Sequence, residues 1–267
     1  MPTVESGAWK RSLQRFFDER GESVSAEPTF EELCLISGRD PRVWSDSTLL
    51  GELFDHIVAC IGTSGSSAVI EVGCAAGFLA RGIAPRMKTY VGVDLAEAPL
   101  KVARRLKLPN ARFITGDGEN LDFPDNSFDA ALSYDVFTNF PDFNDGAVLI
   151  EEMLRIVRPG GRVLIGSIPD AAMKMEFEQK IPLVSQDLER RLGKMPELAA
   201  PRPNKLLSYL KWFGRAEQPR GEIICYYFSK SDFIDLAQRL GVNIQIAPIH
   251  PGHPYAAYRF HAIFMKS

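Results

Sequence analysis

The sequence predicts an α/β domain whose sheet is mostly parallel and covered by helices on both faces. Three observations carry that prediction. Short apolar runs rich in β-branched residues alternate with stretches of helical periodicity between Ala68 and Ile168, the pattern of successive βαβ units. The first run, Ala68–Val72, is apolar except for Glu71 and does not alternate polar with apolar, as expected of a strand buried on both faces. Gly73 and Gly77 follow it at once, where the chain must bend sharply and a ligand can approach a backbone without a Cβ in the way.

Trp9, Leu13, Phe16 and Phe17 fall on one stripe of an amphipathic helix over residues 8–18, read as a packing element. Thr29-Phe-Glu-Glu32 is a capping box that opens a short helix ending near Gly38, and residues 38–44 read as a loop. Asp46 or Ser47 caps a helix from about residue 48 to residue 60 with Leu50, Leu53, Phe54, Ile57 and Val58 inward. After the first strand come a helix from Gly77 to Pro85, a strand over Thr89–Asp94, and a helix between Pro99 and Pro109. Strands at Ala111–Thr115 and Phe128–Tyr134, a helix over residues 145–157 and a strand over residues 161–168 complete the alternation. Residues 169–226 break the rhythm with helical stretches at 172–180 and 186–192, a proline-rich turn at 200–203 and a short apolar helix at 206–213. That segment is too long for an ordinary connection. Ser229 or Ser231 caps a helix that stops at Gly241, and residues 243–249 and 258–265 form the last two strands. The organisation expected is a helical cap over 1–67, a ligand-binding core over 68–168, a helical insertion over 169–226, and the C-terminal part of the core sheet over 227–267.

Asp94 closes the second strand about twenty residues beyond Gly73, where an acid accepts hydrogen bonds from both hydroxyls of a ribose. A third run, Gly116-Asp117-Gly118-Glu119-Asn120-Leu121-Asp122-Phe123-Pro124-Asp125-Asn126-Ser127-Phe128-Asp129, and a fourth, Arg158-Pro159-Gly160-Gly161, follow in order. Together these runs resemble the class I S-adenosylmethionine-dependent methyltransferases, in their small-molecule, type 11-like branch. Where that family has an acid, a spacer and three alternate glycines, this chain has Glu71-Val-Gly73-Cys-Ala75-Ala-Gly77. Ala75 replaces the middle glycine, and a methyl group still allows close approach.

The resemblance spans roughly residues 68–168. It implies a Rossmann-like seven-stranded methyltransferase sheet, mostly parallel with an antiparallel last strand, and S-adenosyl-L-methionine as cofactor. By that resemblance the cofactor is held by Glu71, Gly73, Ala75 and Gly77 in the first turn and by Asp94 and Leu95 after the second strand. Asp117 takes the adenine amino group, with the backbone of Gly118 and Glu119 facing the ring, and Ser133 and Tyr134 border the site. The insertion after the fifth strand is expected to face the acceptor as a lid, with a structural or dimerising role as the alternative. A nicotinamide dehydrogenase would need its third glycine at Phe78, which argues against that class.

Methyl transfer is an in-line displacement in which the protein chiefly aligns the reactants and excludes water. A hydroxyl acceptor also needs a base within hydrogen-bond reach. Asp135, in the loop that lies beside the methyl in relatives, is the candidate catalytic base, although an aspartate there equally bonds backbone or substrate. His250 and His253 read as surface residues rather than a base or metal pair, His56 as helix surface or core edge, and His261 as structural, so no metal is expected. Before the first strand, Arg39, Arg42 or Trp44 either neutralises the methionyl carboxylate and covers the site, or serves as surface arginine and anchoring tryptophan. The expected reaction is methyl transfer to a small polar acceptor, with a sugar or nucleotide-sugar hydroxyl first and a quinone, lipid or other secondary metabolite behind it. A non-catalytic binder of the same cofactor is the remaining alternative.

The 267 residues carry a net charge of −3 with acids and bases interspersed, so nothing in the bulk electrostatics favours nucleic acid. The basic run at residues 101–107 reads as a solvated helix face. Cys34, Cys60, Cys74 and Cys225 have no Cys-x-x-Cys spacing, which fits reduced thiols in a cytoplasmic protein. No apolar run is long enough to span a bilayer and no secretory leader is evident, so membrane insertion is not expected. A homodimer is left open.

Overall fold

The apolar runs pair edge to edge in this computed structural model, which describes residues 7–25, 27–196, 198 and 225–267. Seven strands, β1 (Ala68–Val72), β2 (Thr89–Asp94), β3 (Ala111–Thr115), β4 (Phe128–Tyr134), β5 (Val157–Pro169), β6 (Asn243–Pro248) and β7 (Arg259–Met265), form one sheet in the order β3-β2-β1-β4-β5-β7-β6. The pairs among β1 to β5 are parallel, and β7 lies antiparallel between β5 and β6. This is the mostly parallel, Rossmann-like methyltransferase sheet the sequence predicts. Strand order reverses at β1, between β2 and β4, and in open α/β sheets ligands bind in the crevice at the carboxyl ends beside such a point.

Both faces of the sheet are buried, which is why β1 shows no alternation in polarity. Ile70 and Val72 pack on one side with Leu149, Ile150 and Met153 of α7 (Phe143–Ile156) and Phe233 and Leu236 of α9 (Lys230–Leu240). Val69 and Tyr90 pack on the other with Leu53, Phe54 and Ile57 of α4 (Ser47–Ile61). Helix starts follow their caps. Thr29 and Glu32 form the capping box of α2 (Phe30–Ile36), Asp46 accepts the N–H groups of Thr48 and Leu49, and Ser229 caps α9.

Three local expectations change. Residues 38–44 are not all loop, because Asp40 caps a one-turn helix, α3 (Pro41–Trp44), with Pro41 at its first position. Following the short α5 (Ala80–Ile83), α6 (Glu97–Arg104) begins before Pro99 rather than after it, since a proline in the first turn removes no intrahelical hydrogen bond. After β5, α8 (Lys174–Leu192) runs as one helix through Pro182, where the sequence suggests two stretches. The turn at 200–203 and the helix at 206–213 lie outside the described residues. No described helix is long and apolar enough to cross a membrane.

The first helix, α1 (Ala8–Glu22), has no fully buried residue. It lies against α6, and two residues explain why. Ala96, the N-cap of α6, has no side chain to satisfy that helix's first N–H groups, and Asp18 supplies the acceptor instead, its Oδ1 taking the Ala98 N–H at 2.9 Å. Gly21 permits the close approach, because a Cβ there would lie 2.5 Å from the Ala98 carbonyl carbon.

Candidate active site

The carboxyl ends of β1, β2, β3 and β4, roofed by α1, line a cleft. Its floor is the turn after β1. Gly73 has φ 83°, and a Cβ there would meet Val136 Cγ2 at 2.3 Å, so only glycine fits. Ala75 also takes a left-handed φ of 44°. Its N–H donates to Asp94 Oδ2 at 2.8 Å while the Ala96 N–H donates to Oδ1 at 2.9 Å. Asp94 therefore fastens the glycine turn to the end of β2. Burial raises its pKa, and the N–H donors offset only part of that shift.

The third motif meets α1. Lys10 Nζ lies 2.7 Å from Asp117 Oδ2 and 2.7 Å from Glu119 Oε2, and Asp117 Oδ1 accepts the Glu119 N–H at 3.0 Å. Burial works against the Lys10 charge, but the two carboxylates outweigh it and raise the pKa. Beside this latch Trp9 packs on Phe140 with ring centroids 5.2 Å apart. Trp9, Lys10, Leu13, Gln14 and Phe17 all line the cleft, so the helix expected to pack is the roof of the site. The pair is half-exposed and worth about 0.5–1 kcal/mol. Lys10→Ala is accordingly expected to speed amide hydrogen exchange across α1 about two- to fivefold. Unchanged exchange would show that the latch does not hold the roof.

Gly73, Ala75, Asp94, Leu95, Asp117, Gly118, Glu119, Tyr134 and Asp135 share this cleft. Glu71, Gly77 and Ser133 do not line it. Glu71 is buried and accepts a hydrogen bond from the Tyr90 hydroxyl, and burial pushes its carboxyl up to about 7 although Tyr90 opposes the shift. Gly77 sits under the chain that follows α6, where a Cβ would come within 2.9 Å of Leu106 Cδ1. Ser133 is buried, and its hydroxyl has no partner among the described residues. Of the three candidates before β1, Arg39 lines the cleft and stacks on Phe78 with its guanidinium 4.5 Å from the ring centroid. Arg42 instead pairs with Asp40, and Trp44 is buried against Phe78 and His253.

The expected base is a fixed anion. Asp135 Oδ2 meets Arg39 Nη2 at 2.8 Å and Oδ1 meets Arg259 Nη1 at 2.8 Å. Burial opposes its ionisation, but the two guanidiniums outweigh it and hold the carboxyl below its ordinary pKa. A carboxylate so held is a poor proton acceptor. His253 is buried rather than on the surface, and burial pushes its imidazole down to about 4. Its Nδ1 accepts the Tyr255 N–H at 3.1 Å, which puts the proton of the neutral ring on Nε2.

His56, Cys60 and His261 also come together, with one ligand-type atom of each within 4.8 Å of the others. The Ser167 N–H donates to His261 Nδ1 at 3.1 Å. The neutral ring then carries its proton on Nε2, which leaves that nitrogen no lone pair for a metal.

With this geometry in view, residues 70–165 match the family model described as a methyltransferase domain. The phthiotriol/phenolphthiotriol dimycocerosates methyltransferase of Mycobacterium tuberculosis is 37% identical over 102 residues, 36% of this chain and 36% of that protein. The fatty-acid O-methyltransferase of Mycolicibacterium smegmatis is 38% identical over 101 residues, 36% of this chain and 35% of that protein. The matched stretch thus spans about a third of the length of these curated relatives. Among solved structures, the DhpI-SAM-HEP complex superposes with a TM-score of 0.58 at 18% identity, covering 98% of this chain and 99% of that one. Magnesium protoporphyrin IX methyltransferase from Synechocystis superposes with a TM-score of 0.57 at 13% identity, covering 97% and 100%. Residues 70–165 thus carry a methyltransferase domain, and the fold around them is the one these two solved structures share.

Proposed function

We propose that this chain transfers the methyl group of S-adenosyl-L-methionine to an oxygen of a lipid or other largely apolar acceptor. The observation that carries the cofactor is the convergence of the Gly73–Ala75 turn, Asp94 and the Gly116–Glu119 run on one cleft. These groups suit the cofactor: a backbone open to close approach, a carboxylate with lone pairs left for a ribose diol, and an acid beside a backbone corner for a purine amine. When bound, the cofactor supplies an electrophilic methyl on a sulfonium. Asp94 holds the ribose, Asp117 and the Gly118–Glu119 backbone border the adenine, and α1 excludes water above them.

Two observations favour a lipid over the sugar or nucleotide sugar expected first. The relatives named above act, by their names, on phthiotriol or phenolphthiotriol dimycocerosates and on fatty acids. Directly after β5, α8 leaves Met175 and Leu183 strongly exposed, at 74% and 64%, apolar surface of the kind a lipid chain covers.

The test is transfer of labelled methyl from S-adenosylmethionine to long-chain alcohols and fatty acids in micelles, run beside nucleotide sugars. Label in the lipid fraction is the expected result. Label in the sugar fraction alone would return the acceptor to a sugar.

A further inference from the structure

We infer that the acceptor is a carboxylic acid, bound as its anion through Arg259 and released as a methyl ester. The inference rests on the methyltransferase reading above and specifies its acceptor.

Topology supplies the first argument. The cofactor cleft lies over β1, β2, β3 and β4 with Asp135 at its β4 side, whereas Ser167 lies near the end of β5 and Arg259 opens β7. Because β7 is antiparallel, its first residue stands at the same edge as the last residues of the parallel strands, with Arg259 opposite Pro169. Arg259 does not line the cleft, but its Nη1 touches Asp135, which does. That places a guanidinium just beyond the Asp135 side of the cleft, the side this proposal assigns to the acceptor.

Charge supplies the second. Arg39 and Arg259 share one carboxylate, Asp135, with side-chain exposures of 11%, 13% and 20%. His253 beside them is neutral, since its imidazole is pushed down to about 4. Two cations and one anion leave a single positive charge, largely shielded from water, and such a charge favours an anionic partner. Arg39 faces the cofactor, so Arg259 is the cation available to the acceptor.

Proton accounting supplies the third. A hydroxyl acceptor must lose a proton, and the described groups at this corner offer no place for it. Asp135 is held ionised by two arginines, His253 already has a donor on Nδ1 and its proton on Nε2, and burial raises the Tyr134 phenol. A carboxylate has no proton to lose. One of its oxygens forms the bond to the methyl carbon, the carbon–sulfur bond breaks with its electron pair going to sulfur, and the products are a neutral ester and S-adenosylhomocysteine.

Backbone conformation and packing agree. Asp135 and Ser167 both hold left-handed φ values, 62° and 60°, a conformation that costs about 1–2 kcal/mol at a residue with a side chain and gathers at functional sites. Both are tied to Arg259, whose Nη1 reaches Asp135 Oδ1 at 2.8 Å, Ser167 Oγ at 3.1 Å and the Ser167 carbonyl at 3.3 Å. The Tyr255 ring lies 5.0 Å from the same guanidinium, and Phe177 packs edge-on to Tyr255 and Tyr258 at 5.6 and 5.2 Å. These rings offer an apolar wall for the body of an acid whose head meets Arg259.

The experiment begins with the protein and S-adenosylmethionine alone, to establish cofactor binding. Protein saturated with S-adenosylhomocysteine is then titrated calorimetrically with a medium-chain fatty acid, a long-chain fatty acid, an arylacetic acid and the three matching alcohols. Label transfer to each is followed in parallel. At least one acid is expected to bind and yield its methyl ester while its alcohol does neither. Arg259→Gln is expected to weaken acid binding and raise its KM about ten- to a hundredfold, the loss of a charge-assisted contact, with cofactor affinity unchanged. Arg259→Lys, which keeps the charge and loses the fork, is expected to recover part of it and serves if the glutamine variant misfolds. Methylation of alcohols with acids inert, acid binding indifferent to Arg259→Gln, or no acid bound by cofactor-competent protein would each overturn the inference. Failure to bind S-adenosylmethionine at the first step would instead overturn the methyltransferase reading beneath it.

Discussion

Asp94→Ala is expected to weaken S-adenosylmethionine binding by about a hundredfold or more and to destabilise the fold in the same step. Its carboxylate accepts the N–H groups of Ala75 and Ala96 and so holds the turn after β1 against the turn after β2. Alanine leaves both donors without their acceptor, at about 1–3 kcal/mol for each that stays buried. It also removes the acceptors offered to the ribose, a loss of about a hundredfold or more in affinity if two charge-assisted bonds go. Asp94→Asn keeps one acceptor oxygen and should fall between. Urea melts and calorimetric titration of the three proteins check the ordering. Affinity within about threefold of the wild type in the alanine variant would remove Asp94 from the cofactor site.

Glu71→Gln is expected to change the pH dependence of stability strongly. Burial pushes the folded-state carboxyl up to about 7, against 4.5 in the ordinary case. Below the unfolded value both states hold the proton and the residue costs nothing. As pH rises from there the unfolded chain releases its proton first, so stability falls until the folded state ionises as well, near pH 7, and the loss then levels off. The penalty above that point is about 3 kcal/mol. Glutamine still accepts from the Tyr90 hydroxyl and cannot ionise. The variant should therefore match the wild type near pH 4 and exceed it by about 2–3 kcal/mol near pH 8 in chemical denaturation. Parallel stability curves would mean that Glu71 ionises as freely in the core as in the unfolded chain.

Where sequence and structure agree, the controlling physics is local. A strand buried on both faces, a turn that requires glycine and an acid at the next strand's end all leave their mark within a few residues, which made Gly73 and Asp94 readable. The capping box at Thr29 and the aspartate cap at Asp46 were readable for the same reason. The α3 turn was equally local, since Asp40 before Pro41 is an N-cap followed by a proline at the first helical position.

What escaped depends on distant partners. The stripe of α1 looks the same whether it faces a core or roofs a cleft, and only the ion pairs of Lys10 with Asp117 and Glu119 distinguish the two. Asp135 looked like a base because its two arginines arrive from far away in the chain, Arg39 from before the sheet begins and Arg259 from its last strand. His253 looked like a surface residue because nothing in a proline-rich loop announces that Trp44 will cover it.

The most direct test of the central claim is isothermal titration calorimetry of the protein with S-adenosylmethionine, beside a titration with NADH. Saturable binding of S-adenosylmethionine and none of NADH is the predicted result. Binding of NADH alone, or of neither, would contradict the assignment of the cleft.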